Sequence, residues 1–126
     1  MSIESKTDKS RDLTTYTFMG EISAKDLIKI VEDFYEGELT ENLLLDFRQA
    51  KPNQQFLSRD LENTARVAKK YWELRKKGKT AIVASTDISF GLARMYEAFT
   101  KIEDMTHSVR VFRSMDKASE WLASDS

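Results

Sequence analysis

Two short runs, "NLLLDF" at residues 42–47 and "TAIVAS" at residues 80–85, are apolar at almost every position. A strand with one wet face alternates apolar and polar residues, so near-continuous runs of this length are strands covered on both sides, as in the interior of a parallel sheet. Parallel neighbours need crossovers, and each run is followed by a stretch with helical periodicity. The chain is thereby directed toward alternating β and α elements in which helices cover the sheet.

The other elements follow the same order. "LTTYTFMG", closed by Gly20, reads as a first strand with Tyr16 and Phe18 on one face. Ser23 and Asp26 have capping-box spacing, and Leu27, Ile30, Val31 and Phe34 then recur at helical intervals up to Gly37. "RQAKPNQQF" holds the only proline and reads as a loop. Ser58 is expected to cap a long helix ending near Gly78, with Leu61, Ala65, Ala68 and Trp72 inward. After "TDISFG", the spacing of Ile88, Leu92, Met95, Phe99 and Ile102 predicts a helix with that stripe on the core. "SVRVFR" predicts a fourth strand and Ser114 caps the closing helix "MDKASEWLAS". The expected fold class is α/β: four βα units forming a mainly parallel four-stranded sheet covered by helices. Residues 1–11, without periodicity, are expected as a flexible tail before one domain at 12–126.

Composition narrows the function. A chain of 126 residues can bury one core unaided, and the absence of cysteine excludes disulfides, thiolate metal sites and cysteine nucleophiles. The net charge of -1 gives no long-range attraction to nucleic acid or anionic lipid. The most basic stretch, "RVAKKYWELRKKGK", is accounted for by cations near a helix C-terminus, so no nucleic-acid partner is expected. No apolar run is long enough to span a bilayer and the first residues are polar, so the expectation is a cytoplasmic protein without membrane insertion.

In an open α/β sheet ligands collect beyond the carboxyl ends of the strands. Those ends supply Asp46 and Arg48, then Ser85, Thr86 and Asp87, then Arg113 and Ser114. Two arginines, hydroxyls and helix N-termini suit a phosphate or carboxylate, but Asp87 opposes an anion, and the single Gly91 forms no nucleotide-binding glycine motif. Caps and turns explain the same residues. His107 is the only histidine and falls at the start of the last strand, away from this edge, so no Ser-His-Asp arrangement is available. Asp46 lacks the companion carboxylates of a metal site and is expected to pair with Arg48. These readings point away from an enzyme, and no cofactor is expected. On the helix after residue 86, Phe90, Ala93 and Tyr96 lie beside Met95 and Phe99, more apolar surface than one stripe needs. That surface serves a buried helix, a dimer face or the wall of an apolar pocket, with Arg94 and Glu97 at its rim.

"TAIVASTDISFGLARMYEAF" and "VRVFRSMDKASEWL" together resemble the SpoIIAA-like family of small bacterial proteins, related to STAS domains; the resemblance covers roughly residues 12–124. It implies four helices on a largely parallel sheet, with either orientation open to the first strand, antiparallel included. STAS relatives that act as anti-sigma-factor antagonists are switched by phosphorylation of a serine at a helix start, a position that falls here on Ser58. Arg59 and Asp60 stand where that pattern has small residues, which favours a plain N-cap over a phospho-switch. Other relatives hold lipid-like ligands between helices and sheet. Two readings result. One is a non-enzymatic regulatory or interaction domain, binding another protein or a second copy through Arg48, Ser58 and the surface of Ser85, Thr86, Asp87, Phe90 and Arg113. The other is a carrier or sensor of a small apolar ligand beside Met95, Tyr96 and Phe99.

Overall fold

The computed structural model describes residues 2–37, 39–75, 77–104 and 108–124. Five strands, β1 (Ser2–Asp8), β2 (Leu13–Ile22), β3 (Asn42–Pro52), β4 (Lys79–Val83) and β5 (Ser108–Phe112), form one sheet in sequential order. β1 runs antiparallel to β2, and all later pairs are parallel. Four helices, α1 (Ala24–Glu36), α2 (Ser58–Lys69), α3 (Asp87–Ile102) and α4 (Met115–Ala123), complete the chain. Right-handed crossovers between successive parallel strands place α1, α2 and α3 on one face.

Side-chain alternation divides the core accordingly. Leu13, Leu44, Ala81 and Val83 point to the other face and pack on Ala118 and Leu122 of α4. Leu43, Ile82 and Val109 point toward the three-helix layer, where Phe34 and Tyr35 of α1 and Ala93 of α3 meet them. The runs that are apolar at almost every position are thus covered on both sides, as their composition requires. In β2 the register slips between Thr17 and Met19, and Phe18 at this irregularity is wholly buried with its ring stacked on Phe47 at 4.5 Å.

Several expectations are corrected. Of the segment at 1–11, expected as a flexible tail, Ser2–Asp8 forms β1 and Lys9–Arg11 a 3-10 turn. Its residues are mostly exposed and therefore carry no hydrophobic period; the strand is held by its ladder to β2 and by Ile3, which packs with Phe18. Charged Glu4 and Lys6 suit an edge strand that must not recruit another sheet. The sheet accordingly has five strands; the extra one is antiparallel, while the strand expected first, β2, pairs parallel with β3. The helix expected to reach Gly78 ends at Lys69, and Trp72–Arg75 forms a separate 3-10 turn, leaving Trp72 half-buried outside the α2 stripe. Ser58 is the first residue of α2 and not its cap. Leu57 occupies the cap position, with the Asp60 carboxylate accepting its backbone N–H at 2.7 Å.

α3 is rotated relative to the sequence expectation. Ile88 and Ile102 are 71% and 75% exposed, and Met95 is also exposed, whereas Ala93 and Thr100 are buried. The helix is apolar over more than one stripe, so hydrophobicity leaves its phase open. The small side chains at 93 and 100 let it lie close to the sheet and decide the matter. The capping expectations at Ser23 and Ser114 match the structure, with both halves of the capping box present at Ser23.

Candidate functional site

At the carboxyl edge, β4 and β5 bring Ser85, Thr86, Asp87, Phe90 and Arg113 together. The Thr86 hydroxyl accepts the Ser89 N–H at 3.2 Å and caps α3. Arg113 pairs with Asp87 at 3.0 Å, donates to the Ser85 carbonyl at 3.4 Å, and lies 4.2 Å from the centre of the Phe90 ring. Arg48 belongs to a different arrangement. It closes on buried Asp46 through two side-chain bonds of 3.0 and 2.9 Å, the geometry of a planar fork on a carboxylate, and this contact holds its pKa above the usual guanidinium value. Asp46 and Arg48 lie on the sheet face that α4 covers, opposite the three-helix layer. Both arginines of the expected anion site are thus already engaged by carboxylates. Ser58 is exposed beside Asp60. His107 lies outside the described residues.

The larger feature lies between the sheet and α1, α2 and α3. A cavity of about 110 Å³ is lined by Phe18, Leu45, Phe47 and Ile82 below and by Phe34, Leu61, Ala93 and Tyr96 above, among other residues. Its surface is almost entirely apolar. Bulky residues on α1 face small ones on α2 and α3, Thr64, Ala68 and Ala93, and the gap between them is left unfilled. Beyond the carboxyl end of the strands the lining reaches exposed Lys51 and half-buried Pro52 and Phe56. Of the three residues expected to wall an apolar pocket, Tyr96 does so. Met95 faces solvent and Phe99 is half-buried off the lining, a consequence of the rotation of α3.

The opposite end of the cavity contains Arg75, with 0% of its surface exposed. Its Nε and Nη2 donate to the Glu41 carbonyl at 3.0 and 2.8 Å, and Nη2 also donates to the Lys79 carbonyl at 2.9 Å. Nη1 donates to the Tyr35 and Thr80 hydroxyls, each at 3.1 Å. The guanidinium also sits 5.0 Å from the Phe34 ring centre and 5.8 Å from that of Tyr35. All five N–H groups are therefore satisfied, yet among the described residues no carboxylate pairs with the charge. Glu41 offers its carbonyl, while its own Oε2 is buried and has no hydrogen-bond partner among the described residues. Gly78 is needed for this packing, because a Cβ there would run into the Glu41 carbonyl oxygen and crowd Arg75.

Tyr96 is half-buried as a residue, but its hydroxyl end lies in the interior. Burial pushes its phenol well above the ordinary value, Tyr35 adds to the shift, and Arg75 partly opposes it. Tyr35, Arg75 and Tyr96 all line the cavity. Sequence reasoning missed Arg75, Tyr35 and Thr80 because "ELRKKGK" reads as the basic C-terminal end of a helix; nothing in its composition marks one of its cations as buried.

Two solved structures share this architecture along nearly the whole chain. An uncharacterised DUF3478-family protein from Shewanella loihica PV-4, described as having a SpoIIAA-like fold, superposes with a TM-score of 0.59 at 13% identity, covering 97% of this chain and 93% of that one. The fold is SpoIIAA-like. The anti-sigma factor antagonist SpoIIAA in its unphosphorylated form agrees with a TM-score of 0.50 at 10% identity, covering 96% and 97% of the two chains. No family model and no curated protein matches the sequence. Among the described residues of this SpoIIAA-like chain, no helix is long and apolar enough to cross a membrane.

Proposed function

We propose that this SpoIIAA-like domain is a non-enzymatic carrier or sensor that takes a small apolar molecule into the cavity between its sheet and α1–α3, in the cytoplasm. The observation that carries this reading is the cavity itself. Protein interiors pack to crystal density, and an unfilled apolar space loses dispersion contacts that an apolar ligand restores. The volume of about 110 Å³ approaches that of engineered apolar cavities, roughly 150 Å³, that stay dry and bind benzene.

The test is a titration with 1-octanol, a neutral probe, followed by amide chemical shifts. Saturable shifts are expected on the cavity lining. Filling the space with Ala93→Leu or Ala68→Leu is expected to weaken uptake about tenfold or more without lowering the melting temperature. Undiminished uptake by both folded variants overturns the reading.

A second reading, an interaction domain that pairs with a second copy, is favoured by the exposed side chains of Ile88, Met95 and Ile102 along one side of α3. Sedimentation should then report a dimer that Met95→Lys converts to a folded monomer. A native monomer at all concentrations removes this reading.

A further inference from the structure

We propose that the ligand of this cavity is a small monocarboxylic acid with an apolar body, its carboxylate seated at the Arg75 end against the hydroxyls of Tyr35 and Tyr96. This rests on the reading of the cavity as a binding site and adds the chemical class of what it binds.

A fully buried ion is normally compensated by an opposite charge, because carbonyls and hydroxyls satisfy its hydrogen bonds without neutralising it. Arg75 has the hydrogen bonds and lacks the counter-ion among the described residues. A carboxylate in the cavity supplies it. The placement of protons agrees. The Tyr35 hydroxyl accepts from Arg75 Nη1, so its own proton is left to donate, and the adjacent cation strengthens it as a donor. The Tyr96 hydroxyl, a phenol neutral at neutral pH, belongs to a residue that lines the same cavity and has a proton to donate as well. An anion at this point therefore receives two O–H donors with the guanidinium charge immediately behind them, while no N–H of Arg75 has to leave its present acceptor. An alkylammonium head meets the reverse field at the buried Arg75 charge. Apart from Lys51, Thr64, Thr80 and Ser89, the rest of the lining is apolar, which suits an aliphatic or aromatic body.

One other cation touches the lining. Lys51 stands exposed at the far end and could attract a carboxylate to the mouth with the body pointing inward. The two orientations predict different variants.

The experiment compares octanoate, 1-octanol and octylamine at neutral pH on the native protein, by calorimetry and amide shifts. The expected order is octanoate tightest by about tenfold over octanol, with octylamine weakest, since a hydrogen bond to a charged group in a buried site is worth at least that factor. Tyr35→Phe and Tyr96→Phe, which keep ring packing, are expected to remove the preference for octanoate and leave octanol unchanged. Lys51→Gln should alter neither. Equal binding of octanoate and octanol overturns the carboxylate assignment and leaves the cavity reading standing. So does a preference abolished by Lys51→Gln and kept by both tyrosine variants. Failure of all three probes overturns both.

Discussion

Replacing Arg75 with methionine is expected to lower the unfolding free energy by about 3–5 kcal/mol. The side chain fits the space, but the Glu41 and Lys79 carbonyls and the Tyr35 and Thr80 hydroxyls all lose a donor at once. Each buried acceptor left unmet costs roughly 1–3 kcal/mol, partly offset by no longer burying a charge that has no counter-ion. Arg75→Lys should recover under half of the loss. An ammonium has three donors on one atom and does not span two carbonyls and two hydroxyls set around a planar fork. Urea unfolding monitored by tryptophan fluorescence measures both. A loss below about 1 kcal/mol for the methionine variant would show that water replaces the guanidinium at this point, and the pocket end would then have to be regarded as wet.

Arg75 also marks the limit of what the sequence reveals. The strands at 42–47 and 80–85 are legible because burial on both faces demands apolar residues at nearly every position, and the caps at Ser23 and Ser114 are legible because the hydrogen bonds are local. β1 is hidden for the opposite reason: an edge strand with exposed faces needs no hydrophobic pattern, and its pairing with β2 is a property of the chain reversal at Asp12, whose backbone sits in the left-handed region with φ of 50°. On α3 the apolar residues Ile88, Met95 and Ile102 define a clean stripe that the fold leaves outside. The deciding residues, Ala93 and Thr100, are small, and small residues leave a weak mark on a hydrophobic pattern. The candidate site is divided in the same way. The carboxyl-edge residues Ser85 to Asp87 and Arg113 follow from the general rule for α/β sheets, and the Asp46–Arg48 pair follows from their spacing along one strand face. A cavity depends on what several distant segments fail to fill, and no segment alone records that.

The second large effect is expected at Phe18. Phe18→Ala removes a ring that is wholly buried, stacked on Phe47, and part of the cavity lining, so it should cost about 3–5 kcal/mol and enlarge the space. Ordinary core truncations end there. In a protein whose cavity takes up apolar molecules, the enlarged space should itself bind, and saturating ligand raises the stability of the folded state by about 2.7 kcal/mol at a hundred times its dissociation constant. Thermal unfolding of Phe18→Ala should therefore show partial recovery with octanol and with a longer alkanol that the native cavity admits poorly. An equivalent variant on the α4 side, Leu44→Ala, should lose comparable stability and gain nothing from either alcohol, because its side chain points away from the three-helix layer. Recovery of both variants alike would trace the effect to nonspecific stabilisation, and recovery of Phe18→Ala alone would tie the energetics of the core to the same space that binds the ligand.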